Sequence, residues 1–307
     1  MMRMDRRGVM AGAMAGMGAL LTGMPAMAAP LVKPPRLRAG DTVGLIEPAG
    51  FTDDAFDLDL VKDTIVAMGL KPKAAPHLAG RYGYLAGTDA DRAADVNAMF
   101  ADPEVRWGCA RILPRLDFAM IRRNPKLLVG FSDITALHLA FAAKAGFTTI
   151  HGPNAASSWG AYSWDAFRAV AFDAGTPTLS NPVGHEDRLA QRAGRIRTFR
   201  PGVARGRLLG GNLTVLAALM GTAYLPDFSG AILFIEDVSE PPYRIDRMLT
   251  QLALGGVLGK LSGVIFGQCT DCGPSGASYG GFTLSEVLQQ HLEPLGIPSF
   301  QGGQFGH

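Results

Sequence analysis

The sequence predicts an α/β fold, and three observations carry that expectation. From Gly40 onward, apolar runs of strand length alternate with amphipathic stretches of helical spacing. The 39 glycines and 20 prolines fall between these stretches, with no G-X-Y period and no low-complexity block. No repeat with a period of roughly 20 to 50 residues recurs, which removes solenoids and propellers. At 307 residues and 48% hydrophobic, the chain can bury one large core or two ordinary ones, so global disorder is excluded.

Residues 1–28 stand apart from the fold. They open with Arg3, Asp5, Arg6 and Arg7, continue through an apolar Ala/Gly/Met/Leu stretch, and end on Ala26-Met27-Ala28. This pattern predicts a cleavable export signal, and its paired arginines predict the Tat route to the periplasm. The alternative, a single-span anchor, would need about 20 apolar residues, more than this glycine-rich stretch offers. The segment holds three of the 29 basic residues and one of the 27 acidic ones, so the mature chain is formally neutral. No basic surplus remains to track nucleic acid, and none is expected as a partner.

Residues 42–46 read as a buried first strand, and Glu47-Pro48-Ala49-Gly50 as the loop at its carboxyl end. Asp53 or Asp54 can cap a helix with apolar positions at Phe56, Leu60, Val61, Ile65 and Met68, closed by Gly69. A second strand follows at residues 72–75. Thr88 can cap a helix over residues 89–100, stopped by Ala101-Asp102-Pro103. Residues 126–129 form a short apolar strand, Gly130-Phe131-Ser132-Asp133 the turn after it, and Ile134, Leu137, Phe141 and Ala145 recur at helical spacing.

The pattern weakens between residues 159 and 201, where a helix-like stretch at 165–172 and a polar stretch around 184–197 read as a connection between a first domain at 35–158 and a second at 202–307. The second region predicts a Gly210-Gly211-Asn212 turn, a helix over 213–220, a strand over 231–235, a helix over 245–254 and a strand over 264–267.

Several residues can carry chemistry. Ser132 lies between strand and helix with a glycine two positions before it, a geometry similar to the G-x-S-x-G elbow, although Ile134 replaces the last glycine. The competing reading is that Ser132 only caps the following helix. Glu236 follows an apolar strand, where side chains reach sites at strand ends; it reads equally as a solvated carboxylate. Among six histidines, His138 suits a core role, and His151 a structural role or the lining of a cleft; His77, His185 and His291 have no neighbouring signal. His307 ends the chain, where mobility is the rule. Cys269 and Cys272 form a C-x-x-C whose readings are a local disulfide, two buried thiols, or a metal or redox pair. The sequence lacks G-x-x-x-x-G-K-[ST], H-E-x-x-H and a strand-linked G-x-G-x-x-G.

Six ordered motifs then resemble the LD-carboxypeptidase family, which includes muramoyltetrapeptide carboxypeptidases and microcin-immunity peptidases. They are Tyr84-Leu85-Ala86-Gly87-Thr88-Asp89 with Arg92-Ala93-Ala94-Asp95-Val96-Asn97, then Gly130-Phe131-Ser132-Asp133-Ile134-Thr135-Ala136-Leu137, His151-Gly152-Pro153, Gly210-Gly211-Asn212-Leu213, Glu236-Asp237-Val238 with Tyr243-Arg244-Ile245-Asp246-Arg247, and Gly306-His307. The resemblance spans roughly residues 35–307. It implies an amidotransferase-like (flavodoxin-like) α/β domain followed by a smaller swivelling β-rich domain, often as a homodimer. It implies a serine peptidase with Ser132 as nucleophile, Glu236 as acid and His307 as base, acting without metal or other cofactor. The implied substrate is a murein tetrapeptide, cleaved between a diamino-acid centre and a terminal D-alanine.

Two departures shape the expectation. The family shows a strand and R-G-G-[YW]-G before its R-x-L-P segment, whereas Glu104-Val105-Arg106 here runs into Trp107-Gly108-Cys109-Ala110-Arg111-Ile112-Leu113-Pro114. One oxyanion donor of the family lies in that glycine pair, leaving the Asp133 amide and Gly108 as candidate donors. The family also continues beyond its G-H motif, so this chain reads as truncated, with His307 poorly held and turnover slowed. Two rivals follow: a catalytically impaired muropeptide binder using the same cleft, and a lipase-like esterase built on the same elbow.

Overall fold

The computed structural model describes residues 31–52, 54–104, 112–181, 189, 194–273 and 281–307. The expected export signal, Asp53, Gly108 and Cys109 lie outside the described residues.

Strand β1 (Thr42–Leu45) leads into helix α1 (Ala55–Ala67), whose N-terminus is capped by the Asp54 carboxylate accepting from the Asp57 amide at 2.9 Å. Of the apolar positions expected to face inward, Val61 and Ile65 are buried, while Phe56 and Leu60 are exposed. Strand β2 (Lys71–Ala74) pairs parallel with β1. Helix α2 (Asp89–Ala101) begins at Thr88, where Thr88 and Asp91 form a capping box. Its Arg92 is buried, and the guanidinium donates to the carbonyls of Gly87 and Pro48 and pairs with Asp89. A buried cation bonded to its own helix at Asp89 and to loop carbonyls at Gly87 and Pro48 thus ties the start of α2 to the loop after β1.

Helix α3 (Phe118–Arg123) precedes β3 (Val129–Gly130), which pairs parallel with β4 (Ile150–His151). Between them, a 3₁₀ turn at Ser132–Ile134 runs into α4 (Thr135–Ala140) and a π turn at Phe141–Ala145. Helix α5 (Ala161–Ala171) lies inside the stretch expected to be a connection. Its Phe167 and Ala171 are buried in one cluster with Val43, Leu45 and Ile65, so this helix completes the layer over β1 and α1.

The rest of the chain forms one five-stranded sheet. Its strands are β5 (Arg197–Arg200), β6 (Leu208–Asn212), β7 (Ile232–Val238), β8 (Gly263–Thr270) and β9 (Ser299–Gln301), in the order β5-β9-β8-β7-β6. Strands β6 to β9 run parallel, and β5 is an antiparallel edge. The parallel connections are crossovers through α6 (Leu213–Ala218), α7 (Pro242–Leu254) and α8 (Leu284–Leu292). This region is therefore layered α/β rather than β-rich.

The Gly-Gly-Asn turn expected at residues 210–212 is instead the end of β6. A Cβ at Gly210 would overlap the Phe234 carbonyl, and one at Gly211 the Thr135 hydroxyl, so both glycines permit close approach within packed structure. A single large core then joins the two regions: Val96, Phe100, Leu137 and Phe141 pack with Leu213, Leu233, Leu249, Phe266 and Leu288. Where α4 meets β6, the Thr135 hydroxyl accepts from the Asn212 amide at 2.8 Å. That contact fixes the helix behind Ser132 against the strand beside β7.

Candidate active site

Ser132 occupies a backbone conformation of φ +60°, in the left-handed region that non-glycine residues avoid. Neither the 3₁₀ turn nor α4 has a side-chain cap hydrogen bond, so the serine does not serve the capping role that was its competing reading. Gly130 is demanded by sterics: a Cβ there would stand 2.7 Å from Ile134 Cγ1. The Gly130 carbonyl accepts from Gly152 N at 3.0 Å and from His138 Nε2 at 2.9 Å, which pins the strand end from which the serine turns out.

Glu236 sits on β7 and is fully buried. Its Oε2 accepts from His307 Nδ1 at 2.7 Å and from the His307 backbone amide at 3.2 Å. His307 was expected to be poorly held, and the structure corrects this. The Thr270 hydroxyl donates to its carbonyl, its ring lies edge-on to Phe131 at 4.9 Å, and its side chain is only 20% exposed. Just before it, Gln268 N donates to Phe305 O at 2.8 Å, and the Phe305 ring packs on Phe234. The segment carrying His307 is thus laid along β8 by hydrogen bonds that a sequence pattern does not reveal.

Ser132, Asp133 and His307 line one cavity of about 460 Å³, together with Glu47, Phe51 and Asn154. With Nδ1 committed to Glu236, the His307 ring has Nε2 left to serve a hydroxyl. Glu47 also lines this cavity. Its Oε1 accepts from Thr52 N at 2.9 Å and from the Thr52 hydroxyl, which closes the loop after β1, and burial raises its pKa above the ordinary carboxylate range. The position of Glu47 at a strand's carboxyl end was the available signal for it.

Of the other histidines, His138 and His151 are buried side by side with ring centroids 6.0 Å apart. Burial drives the pKa of His138 down to about 4 and that of His151 down to about 3; the Gly130 hydrogen bond partly offsets the first, and the charges of His138 and His307 reinforce the second. His151 stands behind Glu236, with Nε2 3.9 Å from Oε1. Sequence reasoning did not foresee that juxtaposition. His77 and His291 lie elsewhere, paired with Asp95 and Asp246. Cys269 and Cys272 form a disulfide, which settles the alternatives left open for that pair. Among the described residues, no group of three His, Cys, Asp or Glu side chains is placed to hold a metal ion.

Family models of the LD-carboxypeptidase N-terminal and C-terminal domains match residues 43–152 and 205–307. A probable murein peptide carboxypeptidase of Bacillus subtilis is 35% identical over 283 residues, covering 90% of this chain and 86% of that protein. A murein tetrapeptide carboxypeptidase of Pseudomonas aeruginosa is 30% identical, covering 86% and 87%. Among solved structures, an MccF-like protein from Bacillus anthracis superposes with a TM-score of 0.77 at 24% identity, covering 90% of this chain and 91% of that one. A muramoyltetrapeptide carboxypeptidase from Oxalobacter formigenes superposes with a TM-score of 0.69 at 27% identity, covering 87% and 89%.

Proposed function

The chain belongs to the LD-carboxypeptidase family, and we propose that it hydrolyses murein tetrapeptides at the bond before the terminal D-alanine, with Ser132 as nucleophile, His307 as base and Glu236 as its orienting acid. The observation that carries this reading is the 2.7 Å hydrogen bond that the buried Glu236 accepts from His307, which lines the same cavity as Ser132.

The groups suffice for acyl transfer. His307 Nε2 takes the Ser132 hydroxyl proton as Oγ bonds to the substrate carbonyl carbon, and the charge developing on the carbonyl oxygen is met by the Asp133 amide. Gly108 remains the candidate second donor. Collapse breaks the carbon–nitrogen bond, and His307 returns its proton to the departing amine of D-alanine. Water then attacks the acyl ester with His307 again as base, releasing the shortened peptide and free serine. Glu236 holds the imidazole in the Nδ1–H tautomer and stabilises its charged form throughout.

The reading extends to place and fold. The twin-arginine segment supports export to the periplasm, and the Cys269–Cys272 disulfide suits an oxidising compartment. The parallel β1–β2 and β3–β4 pairs support a flavodoxin-like first region.

The test is release of D-alanine from a purified murein tetrapeptide, which is the expected result. Cleavage of an aminoacyl sulfamoyl nucleoside without tetrapeptide turnover would redirect the reading to a microcin-immunity peptidase. Ester turnover alone would point to an esterase, and tight tetrapeptide binding without cleavage to a muropeptide binder.

A further inference from the structure

Glu236 is approached by two imidazoles, one on each carboxylate oxygen. His307 takes Oε2 from the cavity side, while His151 lies on the protein side, at the end of β4 and in register with Gly130 of the nucleophile strand. The His151 side chain is 5% exposed. Among the described residues, neither of its ring nitrogens has a hydrogen-bond partner, and neither has the buried Glu236 Oε1. The surroundings offer little else. The Phe234 ring packs on one face at 5.5 Å, and the neighbouring His138 has already committed its Nε2 to the Gly130 carbonyl.

Buried polar atoms are costly when unpaired, and here a potential donor and a carboxylate oxygen face each other, neither with another partner among the described residues. Their separation of 3.9 Å is about 1 Å beyond a hydrogen bond. Catalytic contacts are commonly long without substrate and tighten when charge develops.

We propose that His151 is a positioning residue, a neutral imidazole whose Nε2–H holds Glu236 Oε1 so that only Oε2 is presented to His307. The inference rests on the assignment of Glu236 and His307 as acid and base. It explains why two imidazoles beside one carboxylate do not compete for its charge. The titratable groups facing His151 among the described residues are Glu236, His138 and His307, and burial keeps His151 neutral at any working pH. The Ser132 proton therefore has one destination, the partly exposed His307 ring. An ionised His151 would neutralise Glu236 from the wrong side and leave the His307 imidazolium without its counter-charge.

Two substitutions separate donor from shape. His151→Phe keeps a ring and removes the donor, whereas His151→Gln returns an amide N–H near the Nε2 position. The expected result is a fall in kcat of about 10- to 100-fold for the phenylalanine variant, as for other outer hydrogen-bond partners, with KM within about twofold of wild type. The glutamine variant should recover most of that loss at a similar melting temperature. A wild-type rate in the phenylalanine variant overturns the proposal, and so does an equal loss in both variants. Should the phenylalanine variant not fold, ¹⁵N-histidine NMR of the Ser132→Ala protein decides without turnover. His151 should remain a neutral, Nε2-protonated ring from about pH 5 to about pH 9, while an Nδ1-protonated tautomer or a titration in that range overturns the role. If the unsubstituted protein cleaves no tetrapeptide while this tautomer is observed, the proposed function fails and the positioning of Glu236 stands.

Discussion

The two sides of the proposed catalytic cavity are built by different means. The serine side is local, consisting of a glycine, a strained serine and a helix start within residues 130–135, set on a strand of only two residues. The acid–base side is long-range, because Glu236 and His307 are 71 residues apart and meet only when β7 and β8 pair and the chain end is laid along them. The difference teaches where each side is vulnerable. Truncation of the Ser132 side chain should strike the chemistry and spare the fold, while substitution of the buried Glu236 should strike both.

The largest effect expected is that of Ser132→Ala. Loss of the proposed nucleophile should lower kcat by about a millionfold, as in other serine hydrolases, with little change in melting temperature. A further substitution, Ser132→Gly, should be at least as stable as the alanine variant, because glycine accepts φ +60° without penalty. Glu236→Gln should cost about ten-thousandfold in rate by favouring the wrong imidazole tautomer, and should also lower stability because the group is fully buried. Full activity in Ser132→Ala, or a Glu236→Gln protein with unchanged rate, would break the comparison at its root.

Glycine substitutions come next, and they set a side-chain clash against a backbone clash. At Gly130 an added methyl meets the Ile134 side chain, which can be trimmed. At Gly210 it meets the Phe234 carbonyl, which cannot move without breaking the β6–β7 ladder. Gly210→Ala should therefore destabilise by about 3 kcal/mol or more, against about 1 to 3 kcal/mol for Gly130→Ala. Ile134→Ala should rescue part of the loss at Gly130, measured as a coupling in a double-mutant cycle by denaturant unfolding. Additive losses at Gly130 and Ile134 would mean that the serine turn is less tightly specified than its geometry indicates.

The same contrast decides what was legible in the sequence. The serine unit could be read because a turn glycine and a helical repeat are local signals, and Thr88 and Asp54 announced their helices for the same reason. Gly210 and Gly211 misled, since glycine pairs usually mark turns; here they mark a strand that Thr135 and Phe234 approach closely. The helical spacing at residues 165–172 marks α5, but not its role, because the cluster that Trp164 and Phe167 form with Trp159 and the packing on β1 and α1 are long-range. The partnership of Glu236 with His307 became legible only through the resemblance to a family, because residues so far apart leave no periodic trace. The place of His151 behind Glu236 was invisible on either ground.

A smaller effect should appear in acid. His138 and His151 lie behind the two sides, the first bonded to the Gly130 carbonyl and the second facing Glu236, and burial holds them neutral, with pKa values of about 4 and about 3 against an ordinary value of 6.5. Since the folded values lie below the unfolded one, the unfolded chain binds more protons at moderately acid pH. Their contribution to stability is complete above about pH 6.5, is lost as pH falls, and stops changing once pH drops below the folded values. Each site should contribute a slope of up to about 1.4 kcal/mol per pH unit across that window. Unfolding free energies measured between about pH 7 and pH 4.5 should fall less steeply in His138→Gln and His151→Gln than in the unsubstituted protein. Identical slopes in all three would show that the fold admits the protonated rings.

The smallest effect expected is that of opening the disulfide, and it tests how the acid–base side holds its base. Cys269 and Cys272 bracket Thr270, whose hydroxyl donates to the His307 carbonyl, while Glu236 receives both the amide and the ring of the same residue. A cross-link closing so short a loop stabilises by only about 2 kcal/mol or less, since little unfolded-chain entropy is removed. The Glu236 contacts are independent of it and lie in the buried core. Reduction, or a double Cys269→Ser and Cys272→Ser substitution, should therefore lower the melting temperature by a few degrees and kcat by only a few-fold. If reduction instead abolished turnover while melting stayed unchanged, His307 would owe its placement to the Thr270 clasp rather than to Glu236. The acid–base side would then be as local a device as the serine turn opposite it.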